Sequence, residues 1–441
     1  MAHRLRVANT TKPPTAEAPS PPPPPSNPGL PGLAAHSAMA PDSKTATGKA
    51  APADPGPYPH YPTPPTTPTP RLPLLPLLLT FATALTETST TALLPSIAQT
   101  YSLPPPLPSL LHVATALGFI LAAPTLETVQ TTLGASRALA LSQALTALAA
   151  LPLLFLPPFP LLILAFLLLG FATATTLTLT TVANPPTTLP LLHAAYAAGA
   201  LLGPALATLP PGRDAWGGSP FAAPLGLALA GTILAATSQP RTENRPAARA
   251  ADMQGMFTAV STRTVIAASL FALAYRAAEA GLSSVSGTTG CLFWGGMTAS
   301  RLLLAASGKG GQGVVVYWVL GAAAVWEGVG WLGPGALFGA RDGMAGGVAM
   351  GLLLGPVYPV AVAVFMRGMA THEQVGGVGV IAAFGSSGRA AAPFTVGVLA
   401  EAVGPAVLHP IAIVLFGVMA GCWYGLPTRL KRSVCLRESP R

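Results

Sequence analysis

Twelve apolar windows, each about 18 to 27 residues long, follow one another between Leu72 and Pro427, and a helix of that length crosses the roughly 30 Å of hydrocarbon in a bilayer. The first six fall near 73–98, 107–126, 135–156, 160–183, 189–209 and 221–238, and the second six near 264–284, 288–306, 313–332, 345–366, 376–400 and 406–427. Charged residues make up 8% of the chain, against about 25% in an ordinary soluble domain. A polypeptide crossing lipid must satisfy its own backbone polar groups, so windows of this length are expected to be helices. The expected fold class is an all-α membrane protein with twelve transmembrane helices.

An internal echo divides those helices into two sets. His193 to Pro204 reads HAAYAAGALLGP, and Ala382 to Pro393 reads AAFGSSGRAAAP. Each has two alanines, an aromatic, a glycine, and a proline five residues after that glycine: Tyr196, Gly199 and Pro204 against Phe384, Gly388 and Pro393. Each lies in the fifth window of its half. Phe81-Ala-Thr-Ala84 followed by Glu87, in the first window, is echoed by Phe271-Ala-Leu-Ala274 followed by Glu279, in the seventh. Echoes at matching ordinal positions predict a duplicated unit, hence two pseudo-symmetric six-helix bundles. The expected boundaries are a Pro-rich disordered cytoplasmic tail at 1–71, bundles at 72–238 and 264–427, a cytoplasmic linker at 239–263, and a basic cytoplasmic tail at 428–441.

Net charge +9 would suggest nucleic acid in a soluble protein, but its placement gives another answer. With the N-terminus inside, nineteen of the 23 Lys and Arg fall on the cytoplasmic side, only Arg213 and Arg341 fall outside, and Arg276 and Arg389 lie within helices. That asymmetry satisfies the positive-inside rule and places both termini in the cytoplasm, so nucleic acid is excluded as a partner. Cys291, Cys422 and Cys435 have no pairing or metal-ligand spacing, so neither a disulfide framework nor a metal is expected. No phosphate-binding glycine loop and no nucleophile, base and acid set is present, which argues against an ATP-driven pump or a hydrolase and leaves no cofactor to expect.

Ionisable groups at mid-membrane are costly and therefore functional candidates. Four stand out: Glu87, Arg276, Glu279 and Arg389. Arg276 and Glu279 share a helical face and can pair, either as a structural pair or as part of a coupling site. Glu87 has no partner on its own helix, which suits a carboxylate that loads and releases a proton or one merely hydrated at a lumen wall. Arg389 can anchor an anionic solute or the Glu87 carboxylate. His193 reads as a proton relay or as a histidine satisfied by its surroundings. Tyr196, Tyr275, Phe384 and Trp294 either line a cavity for a sugar-like or amphipathic solute or pack as aromatics.

Six plus six spans, a basic central loop and both ends inside, together with several motifs, resemble the major facilitator superfamily, and within it a fungal branch distantly similar to fucose–proton symporters. The motifs are Glu87, Leu94-Pro95 and Tyr101; Asn184, Leu192-His193, Tyr196, Gly199-Ala200 and Gly203-Pro204; Tyr275 with Glu279; Phe293-Trp294-Gly295-Gly296 with Arg301; Gly355-Pro356 with Pro359; and Pro393-Phe394 with Gly397. The resemblance covers about residues 72–427. It implies a monomeric secondary carrier that moves a small solute by alternating access, coupled to protons. Such a carrier would sit in the plasma membrane or the vacuolar membrane. In the family the connection between the second and third helices carries a Gly, an Asp and several basic residues. Here only Glu127, Gly134 and Arg137 match, and with Arg301 they are the gating candidates. The tryptophan expected after the seventh-helix acid is missing, and the connection after that helix is short. Those departures keep open a second reading, a non-transporting receptor or scaffold derived from a carrier.

Overall fold

A computed structural model describes residues 74–104, 107–208, 219–238, 262–283, 287–307, 313–332 and 340–427. The Pro-rich tail, most of the central linker, Cys435 and the basic tail lie outside the described residues.

The described residues form helices, and every apolar window carries one or two of them. In the first half these are α1 (Leu74–Ala92), α2 (Leu94–Thr100), α3 (Ser109–Ala122), α4 (Leu126–Leu133), α5 (Ala135–Leu153), α6 (Phe159–Ala183), α7 (Leu189–Thr208) and α8 (Ser219–Thr237). The second half contains α9 (Arg263–Ser283), α10 (Gly287–Ser307), α11 (Gly313–Leu332), α12 (Ala340–Leu354), α13 (Val357–Arg367), α14 (Gln374–Val403) and α15 (Leu408–Gly425). Among the described residues, seven spans are long and apolar enough to cross a membrane, and nine are if each sharply bent pair counts as one.

The bends have identifiable causes. The first window breaks at Leu93 with a 46° bend, and Pro95, which has no N–H to give a continuous helix, sits in the first turn of α2. The tenth window breaks at Gly355-Pro356. By contrast Pro204 and Pro393 stay inside α7 and α14. The second window turns by 56° into α4, so Glu127 sits on a short helix rather than in the loop expected there. Leu126, 1% exposed, anchors that helix in the core, and Gly134 ends it with φ 78°.

Helix pairing repeats with an offset of one half. α1 packs on α7 as α9 packs on α14, α3 on α6 as α10 on α12, and α5 on α8 as α11 on α15. Across the halves, α7 meets α10 and α14 meets α3. The two sequence echoes meet in these contacts. Gly199 lies against the backbone of Phe81 to Leu85, where a Cβ would overlap the Phe81 carbonyl, and Gly388 lies against Leu273 in the same way. Both glycines let two backbones approach closely, which is how small residues drive helix association in lipid.

Candidate functional site

Successive spans alternate in direction, so the starts of α1, α5, α7, α9, α11 and α14 share one end of the bundle, called here the proximal end. Between the halves, midway along the helices, lies a charged network built on Tyr196. Its hydroxyl donates to the Glu87 carboxylate at 2.6 Å and accepts from Arg276 at 3.0 Å and from Arg389 at 3.2 Å. Arg389 also pairs directly with Glu87, and Arg276 pairs with Glu279, three residues along its helix, while standing 3.9 Å from Glu87. The Arg276 guanidinium lies 5.4 Å from the centre of the Tyr196 ring, within range of a cation–π contact. All five side chains are at least largely buried.

These residues come from four helices: Glu87 from α1, Tyr196 from α7, Arg276 and Glu279 from α9, and Arg389 from α14. The close packing of α1 on α7 and of α9 on α14, set by Gly199 and Gly388, brings them together. Trp294 tilts against Tyr196 with ring centroids 6.1 Å apart. Phe384, the echo of Tyr196, is 41% exposed and faces away from the cavities, so only one of the two aromatics serves the site.

Cavities lie on both sides of the network. The proximal one, of about 70 Å³, is lined by Phe119, Thr178, His193, Tyr196, Arg276, Arg301, Tyr358 and Ser386 among others. A roomier distal one of about 370 Å³ is lined by Thr88, Pro95, His112, Pro204, Trp294 and Arg389 among others. A small space of about 20 Å³ between them holds Glu87, His112, Thr173 and Arg389. Arg276 thus faces the proximal cavity and Arg389 the distal one.

Close approaches tie the halves together at the proximal end. Arg301 of α10 donates to the His193 carbonyl of α7 at 3.0 Å, to the Gly355 carbonyl at 3.0 Å and to the Tyr275 hydroxyl at 3.2 Å. Tyr275 stacks on Tyr358 at 4.9 Å, and His193 meets Tyr358 edge-on at 5.3 Å. Phe119, Ala122 and Ala123 of the first half form a small core with Ala383 of the second. Arg301, expected with the gating loop, is instead a core residue of α10 with 1% exposure.

The remaining candidates do not join the network. Asn184 spends its amide on the Thr180 carbonyl at 2.6 Å, closing the end of α6. Tyr275 donates to the Leu354 carbonyl at 3.2 Å. Glu127 lies beyond the apolar window, where partial burial pushes its carboxyl above the usual range and nearby His372, from the other half, opposes the shift. Arg137 is exposed at the start of α5. Sequence reasoning passed over Thr178, Tyr358, Ser386 and His112, which line the cavities. Among the described residues no cluster of side chains suits a metal ion.

No protein-family model matches the sequence, and no curated protein matches it significantly. Solved structures do match. The major facilitator superfamily transporter FucP in its outward conformation and a point variant of the E. coli fucose:proton symporter FucP each align with TM-score 0.63 at 14% identity, covering 80% of this chain and 97% of theirs. The human organic anion transporter MFSD10 aligns with TM-score 0.62 at 16% identity, covering 80% of this chain and 98% of its own. The chain has the fold of major facilitator superfamily transporters, the family its motifs resemble.

Proposed function

We propose that the protein is a twelve-span secondary carrier of a small solute, built from a 72–238 bundle and a 264–427 bundle, and coupled to protons through Glu87, with Glu279 the alternative acceptor. One observation carries this reading: a charged network contributed by both halves separates two cavities that lie toward opposite ends of the bundle. A channel needs a continuous path, whereas alternating access needs a barrier that both bundles share and that can be rearranged. Protonation of Glu87 removes the charge that Arg389 and Tyr196 hold in place, so proton loading weakens a contact between the bundles. Coupling then follows from differential affinity of the proton and the solute for the two arrangements. With the proximal end cytoplasmic, as the basic residues suggest, the arrangement described here is closed on the inside. The fungal affiliation rests on the motifs alone, and no feature of the site favours the receptor or scaffold reading.

Proteoliposomes containing the full chain test this reading. Under an imposed inward proton gradient, uptake is expected for at least one solute of a panel of sugars, organic acids and drugs. Glu87→Gln is expected to abolish gradient-driven uptake and to spare solute exchange. Uptake that continues unchanged in Glu87→Gln would remove this carboxylate from the coupling step.

A further inference from the structure

We propose that the carried solute is an amphipathic organic monoanion, seated in the proximal cavity with its charged head toward Arg301, Arg276 and Thr178. This rests on the carrier reading and names its substrate class.

The charge inventory of the site is unbalanced. Arg276, Arg301 and Arg389 face or bridge the cavities, and among the described residues only Glu87 and Glu279 offset them there. Both carboxylates are already engaged by Arg276 and Arg389. Arg301 is 1% exposed, and its three hydrogen bonds go to neutral oxygens, the carbonyls of Gly355 and His193 and the hydroxyl of Tyr275. No described carboxylate lies within ion-pairing distance of it. A charge in a low-dielectric interior is costly when no opposite charge pairs with it, and Arg301 lines the proximal cavity. With Glu87 ionised, one negative charge placed there would balance the site.

Unpartnered polar atoms point to the same place. The Thr178 hydroxyl and the His193 Nε2 are buried without a hydrogen-bond partner, and both residues line this cavity. On the same helix Thr175 and Thr180 donate to carbonyls one turn back, at 2.9 and 2.7 Å. Thr178 does not, so its donor is left for an occupant. The rest of the wall is largely apolar, with Phe119, Leu177, Val362 and Phe365 prominent. Such a wall suits a hydrocarbon body and offers few partners to the many hydroxyls of a sugar.

The test is an isosteric charge series on the full-length protein in nanodiscs of phosphatidylcholine, which carries no net charge of its own. The probes are radiolabelled 4-phenylbutyrate, 4-phenylbutanol, 4-phenylbutylamine and glucuronate. Saturable binding of 4-phenylbutyrate, at least tenfold tighter than each of the others, is the expected result. Equal or tighter binding of the alcohol or amine, tighter binding of glucuronate, or no saturable binding of any probe overturns the proposal. Arg301→Met is expected to lose the preference for the acid over the alcohol, with Arg301→Lys restoring it. Because Arg301 also supports packing, Thr178→Val provides a near-isosteric second variant. It is expected to weaken 4-phenylbutyrate about fivefold, the effect of one hydrogen bond, while leaving saturable binding of the hydrocarbon n-pentylbenzene unchanged. Equal loss for both ligands would assign Thr178 to packing and overturn its place in the site. Binding of the acid without flux into proteoliposomes would sink the carrier reading and leave the anion site standing, so the two failures are distinguishable.

Discussion

A single hydroxyl, that of Tyr196, contacts one carboxylate and two guanidiniums from the other helices of the site. Alongside the direct Arg389–Glu87 pair it joins charges of the two halves, and its echo Phe384 carries no such group. Tyr196→Phe keeps the ring against Trp294 and removes only the oxygen. Hydrogen bonds to charged partners contribute about 1.5–3 kcal/mol each, so a loss of that order is expected in thermal unfolding of the purified protein, with gradient-driven uptake reduced. A melting curve indistinguishable from the native one would show that the hydroxyl is not a structural hub. The ionised members of the network were legible in the sequence because lipid makes such residues rare and each one conspicuous. Thr178 was not. Its helix is crowded with threonines that bond their own backbone, and which hydroxyl is left over depends on neighbours that only the packed structure supplies.

Repeated helix pairing was legible at the level of helices, through Gly199 with Phe81 in one half and Gly388 with Leu273 in the other. The echo named the residues, and the structure supplied the reason: each glycine meets a backbone carbonyl on the partner helix. If both positions do the same job, Gly199→Ala and Gly388→Ala are expected to destabilise by similar amounts, about 1–3 kcal/mol, as overpacked contacts do. Gly226, with open space around it, is the control. Its change to Ala is expected to be neutral or to stabilise by up to about 1 kcal/mol, the difference in helix propensity. Melting in detergent measures all three, and equal behaviour of the three variants would defeat the argument. Helix breaks were harder to foresee. Pro204 and Pro393 look in sequence like Pro95, yet of the three only Pro95 begins a new helix. Glu127 likewise falls on a helix that a charge-bearing connection did not predict, because Leu126 finds a buried site.

For the whole molecule, proximal closure and charge balance each make a demand on transport. Ala123 and Gly379 belong to opposite halves, and a Cβ built on Gly379 would lie 3.7 Å from the Ala123 Cα once the flexible end of Leu126, 2.5 Å away, gives way, so the two positions are near enough to test by cross-linking. With the native cysteines replaced, Ala123→Cys with Gly379→Cys is expected to cross-link on oxidation, to stop flux, and to recover on reduction; flux that persists through the cross-link would mean that the halves need not part there. The charge balance makes the second demand. A solute bearing one negative charge, carried inward with the one proton that Glu87 accepts, moves no net charge across the membrane. Moving one uncompensated charge through 100 mV is worth about 2.3 kcal/mol, enough to change an electrogenic rate severalfold. Uptake of 4-phenylbutyrate under a fixed proton gradient is therefore expected to stay the same when a potassium diffusion potential of either sign is imposed with valinomycin. A rate that rises with an inside-negative potential would require a second proton. Glu279, whose second carboxylate oxygen is buried without a partner, is the group that would have to accept it, and Glu279→Gln would then be expected to restore indifference to voltage.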